Sequence, residues 1–182
     1  MYNIDFAKYL KPELEVFSNR EIERTTGLYL NWLDDCQKIL DVGCGTGNTV
    51  KYLRSLGKEI IGITFSPLEI QQAKLVNNID IQLMEMHRLD FKDEEFDAVI
   101  SWDNLEHAIA PYIALSEMKR VVRKDGKLLI FIPDLKWLEN ENHFYQLNIR
   151  QMKHLIDRVG GLEITDIITR VDEDGVYKIK KL

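Results

Sequence analysis

The run ILDVGCGTGN, residues 39–48, sets Gly43, Gly45 and Gly47 two apart, just after an apolar stretch and an acid, Asp41. A strand that runs into a glycine turn and then a helix aims backbone N–H groups, and the positive end of the helix dipole, at whatever lies across the sheet edge. That is chemistry for binding a polar cofactor. The spacing bears on which one. A dinucleotide fingerprint is G-x-G-x-x-G, whose last glycine lets the helix pack closely on its strand. Here Asn48 stands in that place, and the second apolar run ends in Gly62-Ile63-Thr64, where an acid would bind ribose. Both departures weigh against a nicotinamide dehydrogenase, which remains the alternative that a tighter affinity for NAD would favour.

The elements that must position this turn are visible as an alternation. Short apolar runs trade places with segments of helical period, the pattern of an α/β layered fold with a mostly parallel sheet. Strands are predicted over residues 38–42, 59–64, 81–85, 96–101, 127–132, 162–170 and 176–180, and helices over 48–56, 67–77, 111–122 and 149–159. Ser66-Pro67-Leu68-Glu69 has the form of a capping box with proline at the first helical position. Gly57 and the pair Gly160-Gly161 mark helix ends, where glycine enters the left-handed cap without strain. Residues 1–35 read as one or two amphipathic helices outside the alternation, a cap or lid with Trp32 and Leu33 packing on the sheet. The expected organisation is one domain over 1–182, with a helical cap at 1–35 and an α/β core at 36–182.

Composition narrows the partners. The 182 residues are 45% hydrophobic and 30% charged, with no apolar run near the roughly 18 residues of a membrane helix. No membrane span is expected. The N-terminus lacks the basic start and continuous apolar centre of a secretory leader, which makes a cytoplasmic protein the expectation. Two cysteines, Cys36 and Cys44, form no disulfide framework and no paired zinc motif. The net charge of −6 disfavours nucleic acid as a partner. The basic cluster Lys119, Arg120, Arg123, Lys124 and Lys127 falls mostly at the end of a predicted helix, where cations suit the dipole, and reads as a solvated face.

With these motifs in place, the sequence resembles the class I S-adenosylmethionine-dependent methyltransferases from about Lys38 to Gly161. ILDVGCGTG resembles that family's first motif. This implies that Asp41 receives the cofactor's amino acid end, that Gly43, Gly45 and Gly47 let the backbone approach methionine and ribose, and that Cys44 and Thr46 add main-chain contacts. IIGITFSPLEIQQAK resembles the second-strand motif, with Thr64 where members commonly carry a ribose-gripping acid and Phe65 flanking adenine. A similar Gly-Ile-Thr-x-Ser-Pro run is familiar from branches acting on lipids and prenylated rings. MEMHRLDFKDEEFDAVIS resembles the adenine-binding stretch, implying that Glu85, rather than its rival Asp90, accepts from the exocyclic amine while Met86 lines the ring. SWDNLEHA and EMKRVVRKDGKLLIFIPD follow in the family's order. The implied fold is a three-layer, Rossmann-like sandwich with a seven-stranded sheet whose last strand alone is reversed. The short turn Asp172-Glu173-Asp174-Gly175 agrees, since a parallel crossover needs a dozen residues or more.

The implied reaction is in-line displacement from the sulfonium of S-adenosylmethionine, giving S-adenosylhomocysteine, and positioning does most of the work. Loops beyond strands four and five line the crevice. That selects Trp102, Asp103, Asn104, Glu106, His107 and Asp134, with Trp102 counted among the cofactor contacts. His107 is a candidate base, since imidazole titrates near neutrality, although a Leu-Glu-His turn is widespread in the family and suits a structural cap. His143, in ENHFYQLN, belongs to the connection that commonly covers the acceptor in this family and is the second candidate catalytic residue, as base or acceptor contact. His87 and His154 receive no role. Trp137, Phe144 and Tyr145 read equally as acceptor wall or lid packing. Asp103, Glu106 and Asp134 could hold a cation, but loop carboxylates are ordinarily just solvated, so no metal is expected. The Pro-Pro-aromatic run of a base-modifying enzyme does not follow strand four. The expectation is methyl transfer to O, N or C of a small molecule, sugar or lipid, with a partner protein and a homodimer both open; the alternative, motivated by Thr64, is a catalytically silent S-adenosylmethionine-binding regulator.

Overall fold

A computed structural model describes residues 31–133, 143–145, 147–169 and 175–182. Residues 1–30 of the expected cap, Asp134, Trp137 and most of the turn at 172–175 lie outside the described residues. Seven strands form one sheet: β1 (Lys38–Val42), β2 (Glu59–Thr64), β3 (Gln82–Leu83), β4 (Phe96–Trp102), β5 (Val122–Ile132), β6 (Leu162–Thr169) and β7 (Gly175–Lys181). Their order across the sheet is β3-β2-β1-β4-β5-β7-β6. Pairs among β1 to β5 are parallel, and β7 is antiparallel to both its neighbours. Six strands therefore run one way and β7 alone runs back, as expected.

Strand periodicity of two divides the apolar residues between two cores. On one face Leu40, Val42, Val99, Leu128 and Ile130 meet α3 (Pro111–Val121) through Leu115 and Met118, and α4 (Ile149–Val159) through Met152 and Ile156. On the other, Ile39, Ile100 and Leu129 meet Val50 and Leu53 of α1 (Asn48–Ser55), with Leu33 and Trp32 beside them. Helices on both faces make the three layers, and the two residues expected to pack on the sheet do so.

Several boundaries differ from expectation for local reasons. The edge strand β3 keeps only two paired residues, because Glu85 folds back into a bridge with Arg88. β5 begins at Val122 rather than at 127, so Asp125 and Gly126 lie inside it at a bulge: pairing jumps from Phe96↔Val122 to Ala98↔Lys127. Asp125 there has φ 59°, and a Cβ on Gly126 would meet the carbonyl oxygens of Arg123 and Asp97 at 2.8 Å. The helix expected over 67–77 is α2 (Pro67–Gln72) continued by a π turn, Ala73–Asn77, that ends at Asn78 with φ 53°. Basic side chains expected on a solvated face are held by acids: Arg120 by Glu117 and Asp93, Arg123 by Asp97, and Lys127 by Asp35.

Candidate active site

From β1 the chain steps outward through β2 to β3, whereas β4 lies on β1's other side and leads away to β5. The carboxyl ends of β1 and β4 therefore flank the switch point, where open α/β sheets bind ligands. The glycine turn leaves β1 there, and its three glycines do different work although all have positive φ (74°, 53° and 78°). A Cβ on Gly43 would lie 2.0 Å from Asn104 Nδ2, and one on Gly47 would lie 2.2 Å from Ile79 Cδ1. At Gly45 it would meet nothing within 4 Å. Gly43 and Gly47 thus admit neighbouring side chains, and Gly45 alone opens onto free space. Asn104 crosses from β4 to donate to the Val42 carbonyl at 2.9 Å, tying the two strand ends together.

The turn's own hydrogen bonds decide what it can offer. Gly43 and Cys44 both give their N–H to the Ile63 carbonyl, and Gly47 gives its own to Cys44 O. Among the described residues, no acceptor takes the N–H of Gly45 or Thr46, so those two are the donors the turn presents. Burial pushes the Cys44 thiol well above its ordinary range, which makes it an inert packing group. Asp41, 2% exposed, has no hydrogen-bond partner among the described residues, and burial raises its pKa to about 7. A buried carboxyl of this kind is complementary to a cationic group arriving from the cleft.

The acid missing from the end of β2 arrives from the next helix. Thr64 is buried, and its hydroxyl donates to Glu69 Oε2 while accepting from Ser66 N–H at 3.1 Å. Only half of the expected capping box forms: Ser66 Oγ accepts from Glu69 N–H at 3.4 Å, while the Glu69 carboxylate reaches Thr64 instead of closing on Ser66. Its charge is felt by Cys44 in the glycine turn. Glu69 went unnoticed in the sequence because it reads as a helix cap. Phe65 stands half-buried beside Thr64.

Toward β3, Glu85 is exposed and its carboxylate holds His87, accepting from the backbone N–H at 3.0 Å and pairing with ring Nδ1. His87 Nε2 accepts from Ala110 N–H at 3.0 Å, which places the ring proton on Nδ1. Met86 is buried in the core with Leu89 and Phe96, Asp90 is exposed, and Trp102 stacks on Phe131 with centroids 4.9 Å apart.

Beyond β4, Asp103 adopts φ 45° and the chain enters a 3-10 turn, Leu105–His107. Glu106 is 1% exposed and, among the described residues, neither of its carboxyl oxygens has a hydrogen-bond partner. Burial, and then repulsion from Asp103, raises its pKa to about 8. The Glu106 carbonyl accepts from Phe144 N–H at 3.0 Å and Tyr145 N–H at 3.2 Å, and Tyr145 Oη donates to the Ile109 carbonyl at 3.0 Å. These bonds bring His143 against His107, ring centroids 4.7 Å apart and edge to face. Burial, then the neighbouring His107, lowers the His143 pKa. One ligand atom from each of Glu106, His107 and His143 lies within 4.8 Å of the others. The two histidines singled out in the sequence are thus brought together, with a carboxylate that sequence reading had left to solvent.

The family model described as "Methyltransferase domain" matches residues 40–130, half of the chain. The chain is 33% identical over 102 residues to the chloroplastic tocopherol O-methyltransferase of Arabidopsis thaliana, covering 52% of this chain and 29% of that protein. It is 27% identical to the ubiquinone biosynthesis O-methyltransferase of Pseudomonas entomophila, covering 92% and 88%. It spans 29%, 58% and 38% of the lengths of the first three curated relatives it matches. In fold it is similar to a protein of Pyrococcus horikoshii, with TM-score 0.78 at 18% identity over 98% of this chain and 97% of that one. A SAM-dependent methyltransferase from Archaeoglobus fulgidus gives TM-score 0.73 at 16% identity over 90% and 95%. With the match spanning β1 to β5 and the glycine turn between them, the chain belongs to the class I S-adenosylmethionine-dependent methyltransferases.

Proposed function

We propose that this chain transfers the methyl group of S-adenosylmethionine to a small-molecule acceptor carrying an apolar ring or tail. One observation carries the reading: an open glycine turn and an unpartnered buried acid, Asp41, share the switch point between β1 and β4. In this reading Asp41 receives the cofactor's ammonium, and the N–H groups of Gly45 and Thr46 meet its polar atoms. Glu69, steadied by Thr64, supplies the carboxylate for ribose. Phe65, Met86 and Trp102 flank the adenosyl group, and Glu85 accepts from the adenine amine. His107 and His143 face the acceptor.

The acceptor atom attacks the methyl carbon as the carbon–sulfur bond breaks, and that bond's electron pair stays on sulfur in S-adenosylhomocysteine. The sulfonium is already a good leaving group, so alignment within the cleft supplies most of the rate. Phe144 and Tyr145, which follow His143, and Ile109, whose carbonyl accepts from Tyr145 Oη, are exposed and favour an acceptor with apolar surface. The names of the tocopherol and ubiquinone relatives agree with a ring-bearing acceptor. A threonine where members carry an acid favours the silent regulator, whereas Glu69, hydrogen-bonded to Thr64, supports turnover by supplying an acid beside it.

The test is donor turnover: S-adenosylhomocysteine release measured across phenolic, amine and carbon acceptors, with calorimetric binding of the donor alongside. Turnover on ring-bearing acceptors is expected. Tight binding with no turnover on any class would instead favour a cofactor-binding regulator, and no binding would end both readings.

A further inference from the structure

We propose that Glu106, His107 and His143 form a site for one first-row divalent transition metal on the acceptor side of the cleft. Glu106 carries the inference. Buried polar side-chain atoms are ordinarily hydrogen-bonded or paired, yet both oxygens of Glu106 are buried and have no partner among the described residues. The ring nitrogens of two histidines lie within 4.8 Å of its carboxylate and of each other. Two ligands about 2.1 Å from one ion stand at most about 4.2 Å apart, so modest side-chain rotation closes the set.

The arrangement is built rather than incidental. Three hydrogen bonds, from Phe144, Tyr145 and the Tyr145 hydroxyl, pin the connection bearing His143 to the turn bearing Glu106 and His107. The nearby Asp103 charge, which already acts on Glu106, adds negative potential for a cation. Two imidazoles and one carboxylate suit zinc, manganese, iron or cobalt, whereas magnesium prefers oxygen ligands throughout. Three protein ligands leave positions open. Asn104, two residues before Glu106, lies against Gly43 of the cofactor turn, so an open position can hold an acceptor oxygen beside the methyl group. That role rests on the methyl-transfer reading; the binding of the metal does not. An acceptor hydroxyl bound there releases its proton to solvent and attacks as the oxyanion, a Lewis-acid role known for such ions.

The test uses the full chain, stripped with chelator and then dialysed free of it. Zinc is titrated by calorimetry, cobalt is followed by its visible absorption, and magnesium serves as comparison. The expected result is one saturable transition-metal site per chain. His143→Ala and Glu106→Gln should each weaken it by at least about 100-fold, the loss that even an outer-sphere change can reach. His154→Ala, at an exposed position of α4 outside the cluster, should leave the site intact. Melting temperature and S-adenosylhomocysteine affinity, measured on the same variants, establish that they fold. Absence of saturable binding, or binding that survives both ligand variants, overturns the site. A chain that binds S-adenosylhomocysteine but no metal overturns this inference alone. A chain that binds metal through these residues but no S-adenosylhomocysteine upholds it and overturns the methyl-transfer reading.

Discussion

The two sides of the cleft are made of different materials. At the end of β1, the side proposed for the cofactor consists of backbone: three glycines in positive φ, two N–H groups with no acceptor among the described residues, and one buried acid, all within Asp41–Gly47. At the end of β4, the side proposed for the acceptor consists of side chains, Glu106 and His107 from one 3-10 turn and His143 from a separate segment, held by hydrogen bonds between the two. A backbone site depends on conformations that few residues can adopt. A side-chain site depends on chemistry that other residues could replace, so the first side is tied to one ligand and the second is free to suit different acceptors.

That contrast can be broken by substitution, most severely at Gly45. A valine there should abolish donor binding, since it fills the single open position of the turn and strains a backbone at φ 53°. Calorimetry with S-adenosylhomocysteine checks this, and unchanged affinity would move the cofactor elsewhere. Asp41→Asn should come next, weakening donor binding by about 3–5 kcal/mol through loss of a buried charge partner.

The same change should act on stability with the opposite sign. Burial raises the folded-state pKa of Asp41 to about 7, above its unfolded value near 3.8. The protonated group's contribution is therefore full below the unfolded pKa and is lost as pH rises through the folded one. Asparagine, which cannot ionise, should stabilise the unliganded chain at pH 8 by at most about 4 kcal/mol and make little difference at pH 4. Denaturant melts at the two pH values check the sign, and equal effects at both would show that Asp41 is not held neutral.

Two smaller effects sharpen the comparison. Glu69→Gln should lower donor affinity by about 1–2 kcal/mol, the difference between a charge-assisted and a neutral hydrogen bond. Loss of the same size with adenine alone would deny Glu69 its ribose. Asn148→Ala removes the side chain that caps α4, whose Oδ1 accepts from Gln151 N–H at 2.9 Å. It should cost about 0.5–2 kcal/mol of stability, with donor affinity at saturation unchanged; a change there would mean that α4 communicates with the cleft.

The legible features were local ones. The strand boundaries of β1 and β2, the helix starts at Ser66 and Asn148, and the glycine turn follow from periodicity and capping over a few residues. The shortened β3 did not, because pairing at a sheet edge depends on its neighbour, and the apolar run Ile81–Leu83 looks the same paired or not. The bulge in β5 escaped because Asp125-Gly126 is a turn signal that β4 absorbs into a strand. Glu69 was hidden because its spacing from Ser66 reads as a capping box, and Glu106 by the assumption that a loop carboxylate meets water.

By itself the sequence determined the layered fold, the cofactor turn and the histidines worth watching, because these depend on backbone conformation and short-range period. Tertiary structure alone decided that of the three turn glycines only Gly45 faces open space, that Glu69 meets Thr64 at the end of β2, and that His143 meets Glu106 and His107. Burial and the distance between residues 36 positions apart exist only once the sheet has brought its strand ends to one edge, and no property of a linear pattern encodes them separately from that packing.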